Sequence, residues 1–217
     1  LGKVLIMLGM ELFGVTPFGW RFMGALFGVL MLPAMYLLVM QLTHKRKPAL
    51  LSMLLFSVDF MHFVQTRIAT VDSFAVLFIM LMTLFMVRYA QMDWRRDGFF
   101  KSLVPLFLSG LTMGLACAVK WIGAYGGVGL AVLFFWSLGK RMRENAKAPA
   151  HDPDFYKKLW GTLGACVIFF VLIPLCVYYF SYYWQLKPEG GLSIARVVEL
   201  QKQMLSYHSG DRGATHY

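Results

Sequence analysis

The chain is a succession of long apolar runs separated by short polar breaks. The first run, residues 3–14 (KVLIMLGMELFG), is too short to cross a hydrocarbon core, which needs about 20 apolar residues. It predicts a helix lying in the interface plane. Longer runs follow at about 17–43, 49–67, 72–91, 103–120, 122–139 and 159–184. Each is long enough to span a bilayer as a helix. The breaks carry the charge: 44–48 (HKRKP), 92–102 (MDWRRDGFFKS), 140–158 (KRMRENAKAPAHDPDFYKK) and a polar tail, 185–217. The pattern predicts an all-α, polytopic transmembrane helix bundle of about six spans with an N-terminal interfacial helix. Residues 1–184 form its membrane core, and 185–217 begin an outward-facing loop.

Details of the runs fit helix packing. Gly24 and Gly28, Gly110 and Gly114, and Gly123 and Gly127 are small-xxx-small pairs that permit close helix approach. Pro33, Pro105 and Pro174 are tolerated inside membrane helices. Tyr178, Tyr179, Tyr182, Tyr183 and Trp184 make an aromatic belt at the end of the last run. No internal repeat is evident, unlike many secondary transporters.

Composition agrees. The 217 residues are 59% hydrophobic and 15% charged, against about a quarter charged in soluble domains. The net charge of +10 raises nucleic-acid binding, but no basic helix or aromatic platform lies outside the apolar runs, so that class is excluded. The positive charge instead sets orientation. The breaks after the first, third and fifth spans hold Lys45, Arg46, Lys47, Arg88, Arg95, Arg96, Lys101, Lys140, Arg141, Arg143, Lys147, Lys157 and Lys158. They outnumber the cations of the other side, so these breaks are expected to be cytoplasmic and both ends of the chain outward. Cys117, Cys166 and Cys176 lie in apolar runs without CxxC spacing, which predicts packing roles and neither disulfide nor metal. The chain starts at Leu1 without methionine or signal peptide, as expected of a piece of a longer protein.

The outward side carries the candidate chemistry. Arg21, Arg67 and Lys120 are its cations nearest the apolar runs. Arginine suits bidentate phosphate recognition and lysine a point-charge contact. Three cations at one membrane face fit a lipid-linked phosphate, and they also fit ordinary interface anchors that snorkel. Asp72, five residues after Arg67, either caps the third span or orients Arg67 or an acceptor. Asp59 and His62, three apart in the second span, share a helix face as a hydrogen-bonded structural pair or a proton relay. His208 and His216 in the tail suit an acceptor or an exposed loop, and no third ligand supports a metal. Glycosyl transfer needs a carboxylate base. Glu11 is the outward acid near the interface, and it reads better as a polar residue of the interfacial helix.

Five segments carry a resemblance: LGKVLIMLGMELFG, GWRFMGALFG, DFMHFVQTRIATVDSF, ACAVKWIGAYG and MLSYHSGDRGATHY. In this order they resemble the protein O-mannosyltransferase family, a bacterial member by its loops. The resemblance implies a polytopic C-type glycosyltransferase of the plasma membrane. Its donor is polyprenyl-phosphate mannose, its acceptors are Ser and Thr hydroxyls of exported proteins, and it inverts the sugar centre. No other cofactor is implied. Arg21 would hold the donor phosphate or the active-site carboxylates, Arg67 and Lys120 would join it at the donor phosphate, Arg67 with Asp72, Ser73 and Trp121 would shape the pocket, and His208 and His216 would belong to the acceptor loop. The family's catalytic Asp-Glu pair would lie before Leu1, so this stretch alone is expected to be inactive. The competing readings are an aminoarabinose-type lipid-linked sugar transferase, a transporter with a cationic portal, and a membrane scaffold.

Overall fold

In hydrocarbon every backbone N–H and C=O must be bonded within its own segment, so apolar runs of this length close into helices. The computed structural model describes residues 1–148, 152–187 and 190–208, and every regular element among them is helical. The first two are α1 (Gly2–Phe13) and α2 (Pro17–Thr43). Thr16 caps α2 by accepting from the Gly19 N–H at 3.1 Å, and Pro17 occupies the first turn. The helix ends at His44 in a left-handed conformation (φ 54°) that returns its N–H to Met40 O.

The second run is not one helix. It divides into α3 (Arg46–Ser57) and α4 (Phe60–Arg67), bent by 56° at the break. The cause is Asp59, whose Oδ2 accepts from the His62 N–H at 2.7 Å and starts a new helix. Asp59 and His62 therefore do not form a side-chain pair on one helix face; the acid is a cap, and the His62 ring packs on Phe56.

Next come α5 (Asp72–Gln91), α6 (Phe99–Val119) and α7 (Ile122–Lys147). The last of these runs past the expected end at 139, because KRMRENAK is rich in strong helix formers and Lys140 and Glu144 pair along the helix at 3.8 Å. Beyond the polar break, α8 (Phe155–Val167), a π-helical turn (Ile168–Leu172), α9 (Ile173–Ser181) and α10 (Tyr183–Leu186) form one continuous span. It begins at Phe155 rather than 159, since Phe155 and Leu159 are both buried. The expected polar tail contains a further helix, α11 (Ile194–His208).

Among the described residues five helices are long and apolar enough to cross a membrane, six if the bent α3–α4 pair is counted as one span. Half of the apolar stretch of α5 and of α6 is buried, against 6% for Phe155–Leu186, so α5 and α6 form the bundle centre. Met82, Met86, Tyr89, Leu106, Leu130, Phe134 and Phe155 build the main core among α5–α8. Ser109 Oγ stitches α6 to α5 by donating to Met82 O at 2.8 Å. The glycine pairs are contact points. Gly24 and Gly28 seat Thr66, Gly110 meets the Phe169 carbonyl in the π-helical turn, and Gly114 meets Pro174.

The two bundle ends differ in charge. At the basic end Gln91 donates to Gln41 O at 2.7 Å, and Arg95 donates to Asn145 Oδ1 at 2.9 Å. Arg141, read above as a loop cation, is instead buried there. Its guanidinium donates to Tyr89 OH (2.6 Å), Tyr89 O (2.8 Å) and Met92 O (2.9 Å). It also lies over the Tyr89 and Trp94 rings. A buried cation needs such partners, and Arg141 uses them to close the C-terminus of α5.

Candidate functional site

The opposite end gathers the start of α2, the end of α4, the start of α5, the end of α6 and the start of α7. α1 lies across it. Gly2 seats against Val71 and Val119, and Gly9 against the Gly19 backbone and Met23. Both ends of α1 thus touch the same bundle end, as an interfacial helix must.

Lys120 and Asp72 meet here. Lys120 leaves α6 in an extended conformation (φ −157°, ψ 139°), which swings its side chain toward the neighbouring helix start. Its Nζ donates to Asp72 Oδ1 at 2.7 Å. Asp72 is the first residue of α5 and makes no capping bond with its side chain. The cap expected from sequence is therefore not formed, although a carboxylate in the first turn still suits the helix dipole. Nor does Asp72 pair with Arg67; its cationic partner is Lys120. Ser73 is buried, and its Oγ donates to Gln65 O at 3.2 Å, so it fastens α5 to the end of α4.

The two arginines are differently placed. Arg67 ends α4, exposed, with its guanidinium over the Phe63 ring at 4.7 Å. Arg21 is exposed on α2, one turn before Gly24, and Gly24 packs on the Thr66 and Ile68 carbonyls. Arg21 is thereby level with the 68–71 loop that follows Arg67. Neither arginine has a carboxylate partner among the described residues, whereas Lys120 does.

Trp121 opens α7 and ties the site to the last span. Its Nε1 donates to Tyr178 OH at 3.0 Å. Tyr178 OH donates to Gln201 Oε1 (2.6 Å), Gln201 Nε2 donates to Tyr182 OH (2.8 Å), and the two tyrosines are 3.1 Å apart. This network docks α11 on the site. Sequence reading placed the tyrosines in an aromatic belt and missed it; Tyr178 and Tyr182 one turn apart are the local signal, but Gln201 has none.

A cavity of about 620 Å³ opens at this end, walled by Lys3, Val71, Val119, Tyr182, Trp184 and Met204 among others; Lys3 is its lining cation, and Arg21, Arg67, Asp72 and Lys120 do not line it. His208 ends α11, and His216 lies outside the described residues. Among the described residues no cluster of three His, Cys, Asp or Glu stands ready for a metal. The arrangement puts Arg21, Arg67 and Lys120 at the same bundle end as this cavity. Of the acids here, Asp72 is engaged by Lys120 and Glu11 is exposed on α1.

The model of the dolichyl-phosphate-mannose-protein mannosyltransferase family matches residues 6–187. A polyprenol-phosphate-mannose–protein mannosyltransferase of Mycolicibacterium smegmatis (strain ATCC 700084 / mc(2)155) is 30% identical over 199 residues, covering 83% of this chain and 37% of that protein. Proteins of the same description from Mycobacterium tuberculosis H37Rv and Corynebacterium glutamicum are 30% and 31% identical, over 63% and 58% of this chain and 28% and 27% of their own lengths. The chain thus spans about a third of the length of these relatives. No solved structure matches it.

Proposed function

The chain belongs to the dolichyl-phosphate-mannose-protein mannosyltransferase family, and from that membership we propose that the whole protein transfers mannose from a polyprenyl-phosphate donor to Ser or Thr hydroxyls of exported proteins. The observation that carries the proposal is the family match over 6–187, a stretch that contains Arg21, Arg67, Asp72, Lys120 and Trp121. The chain is an integral-membrane protein. In the proposed reading it sits in a bacterial plasma membrane with its basic end in the cytoplasm, following the positive-inside rule.

In the reaction the acceptor hydroxyl oxygen attacks C1 of mannose from the face opposite the phosphate. The C1–O bond to phosphate breaks, polyprenyl phosphate leaves with the electron pair, and the hydroxyl proton passes to a carboxylate. Negative charge grows on the leaving phosphate, and cations fixed in advance stabilise it without reorganising. Arg21 and Arg67, which have no ion-pair partner among the described residues, supply that field. Lys120, held by Asp72, presents N–H donors in a set direction. The 620 Å³ cavity is within the ~300–1,000 Å³ range of small-molecule pockets, and it takes the sugar head while the prenyl tail stays in lipid. The resemblance implies an Asp-Glu pair as the proton acceptor.

The test uses the full-length enzyme, a synthetic polyprenyl-phosphate mannose and an acceptor peptide. Arg21→Ala lowers transfer at least about tenfold, or ~1.4 kcal/mol of barrier. Transfer at the wild-type rate would remove Arg21 from the donor site.

A further inference from the structure

We propose that the basic end of α7 binds an anionic phospholipid of the surrounding bilayer, at a site separate from the transfer site. α7 packs on the core through Leu130, Phe134, Leu138 and Arg141. At 100° per residue, the opposite face carries Gly129, Val132, Trp136, Lys140, Arg143 and Lys147 in one stripe. Val132 is 65% and Trp136 66% exposed. The stripe is apolar for two turns and then wholly cationic, with Trp136 at the junction, the level where tryptophan anchors among head groups.

The surface is also hollow. A cavity of about 380 Å³ is lined by Phe135, Trp136, Gly139, three cations (Lys140, Arg143 and Lys147) and one acid, Glu144. A Cβ built on Gly139 or Gly129 meets nothing within 4 Å. Neither glycine is there to admit a neighbouring helix among the described residues. The charge is largely uncompensated. Glu144 approaches Lys140 at 3.8 Å, while Arg143 and Lys147 have no ion-pair partner among the described residues.

These features select the occupant. A soluble anion or acidic peptide has no use for the apolar half of the stripe. A zwitterionic lipid neutralises its own phosphate. An anionic phospholipid matches both halves: an acyl chain along Gly129 and Val132, and a phosphate between Arg143, Lys140 and Lys147. Basic pockets at the ends of membrane helices take such head groups, each Lys or Arg adding to the attraction.

The experiment is native mass spectrometry of the full-length protein in detergent, titrated with phosphatidylglycerol and, separately, phosphatidylcholine. Phosphatidylglycerol is expected to bind at least about fivefold more tightly than phosphatidylcholine. The Lys140→Gln/Arg143→Gln/Lys147→Gln variant weakens phosphatidylglycerol at least about tenfold. Removing three other exposed cations of the same end (Arg96→Gln/Lys101→Gln/Lys157→Gln) changes it less than about twofold. Gly139→Leu, which fills the hollow and leaves the charge intact, also weakens phosphatidylglycerol. No lipid preference, equal losses in the two triple variants, or unchanged binding in Gly139→Leu would each overturn the site. None of these readouts depends on mannose transfer.

Discussion

The Lys120–Asp72 contact separates a structural ion pair from a working one. The two groups are 2.7 Å apart, but their side chains are 52% and 46% exposed. Solvent screens a pair so open, and such pairs contribute about 0–1 kcal/mol to stability. Lys120→Met is therefore expected to lower the thermal midpoint of the full-length protein in detergent by no more than about 4 °C. Transfer responds differently. In the proposed reading Lys120 makes a charge-assisted hydrogen bond to the donor phosphate, worth about 1.5–3 kcal/mol, so kcat/KM falls roughly 10- to 100-fold. Asp72→Asn discriminates further. If the carboxylate serves only to neutralise Lys120, its removal tightens donor binding. If it aims Lys120, transfer falls, and the close contact favours aiming. The double variant is then no worse than Lys120→Met alone, a coupling of at least about 1 kcal/mol. The assay is initial-rate transfer from synthetic donor to peptide across all four proteins. Wild-type kcat/KM in Lys120→Met, or simple additivity in the double variant, would refute the reasoning.

Two further outcomes concern the basic end. Arg141→Met removes three hydrogen bonds and two ring contacts from a buried guanidinium. It should cost about 3–5 kcal/mol, read as a drop of roughly 10 °C in the midpoint; a change under about 2 °C would contradict the burial of that side chain. The loop at Asp152 supplies a pH dependence. The hydrogen bond from Lys158 Nζ (2.7 Å) holds its carboxyl below the ordinary carboxylate value, helped by the Asp154 N–H. A carboxylate with a lowered folded-state pKa adds stability at neutral pH and loses it as pH falls through that lowered value. Midpoints of wild type and Asp152→Asn should therefore differ at pH 7, by about 1 kcal/mol or less, and converge in acid. A constant difference would refute the assignment.

What hydropathy reveals is the cost of placing a segment in lipid, and the runs 17–43 and 72–91 appear as α2 and α5 with those bounds. Hydropathy is blind to events that leave this cost unchanged. The break at Asp59 is a capping event inside an apolar run; one carboxylate bonding one N–H redirects the chain by 56°. α7 outlasts its apolar run for the opposite reason. Its last two turns are polar but intrinsically helical, so Arg141 stays on the core face that a loop would have abandoned. The site divides along the same line. Alternating antiparallel crossings put the starts of odd spans and the ends of even spans at one bundle end, so the shared location of Arg21, Arg67, Asp72, Lys120 and Trp121 follows from counting runs. Which of them touch does not. Asp72 and Lys120 are 48 positions apart, and Tyr178 and Gln201 are 23 apart. Each pair is decided by how closely the helices approach, and that approach is set by residues with no charge to notice: Gly2 against Val71 and Val119, Gly114 against Pro174, and Gly123 against Ala116. The electrostatics of this site is therefore a consequence of its glycines, which fix the distances over which the few charges act.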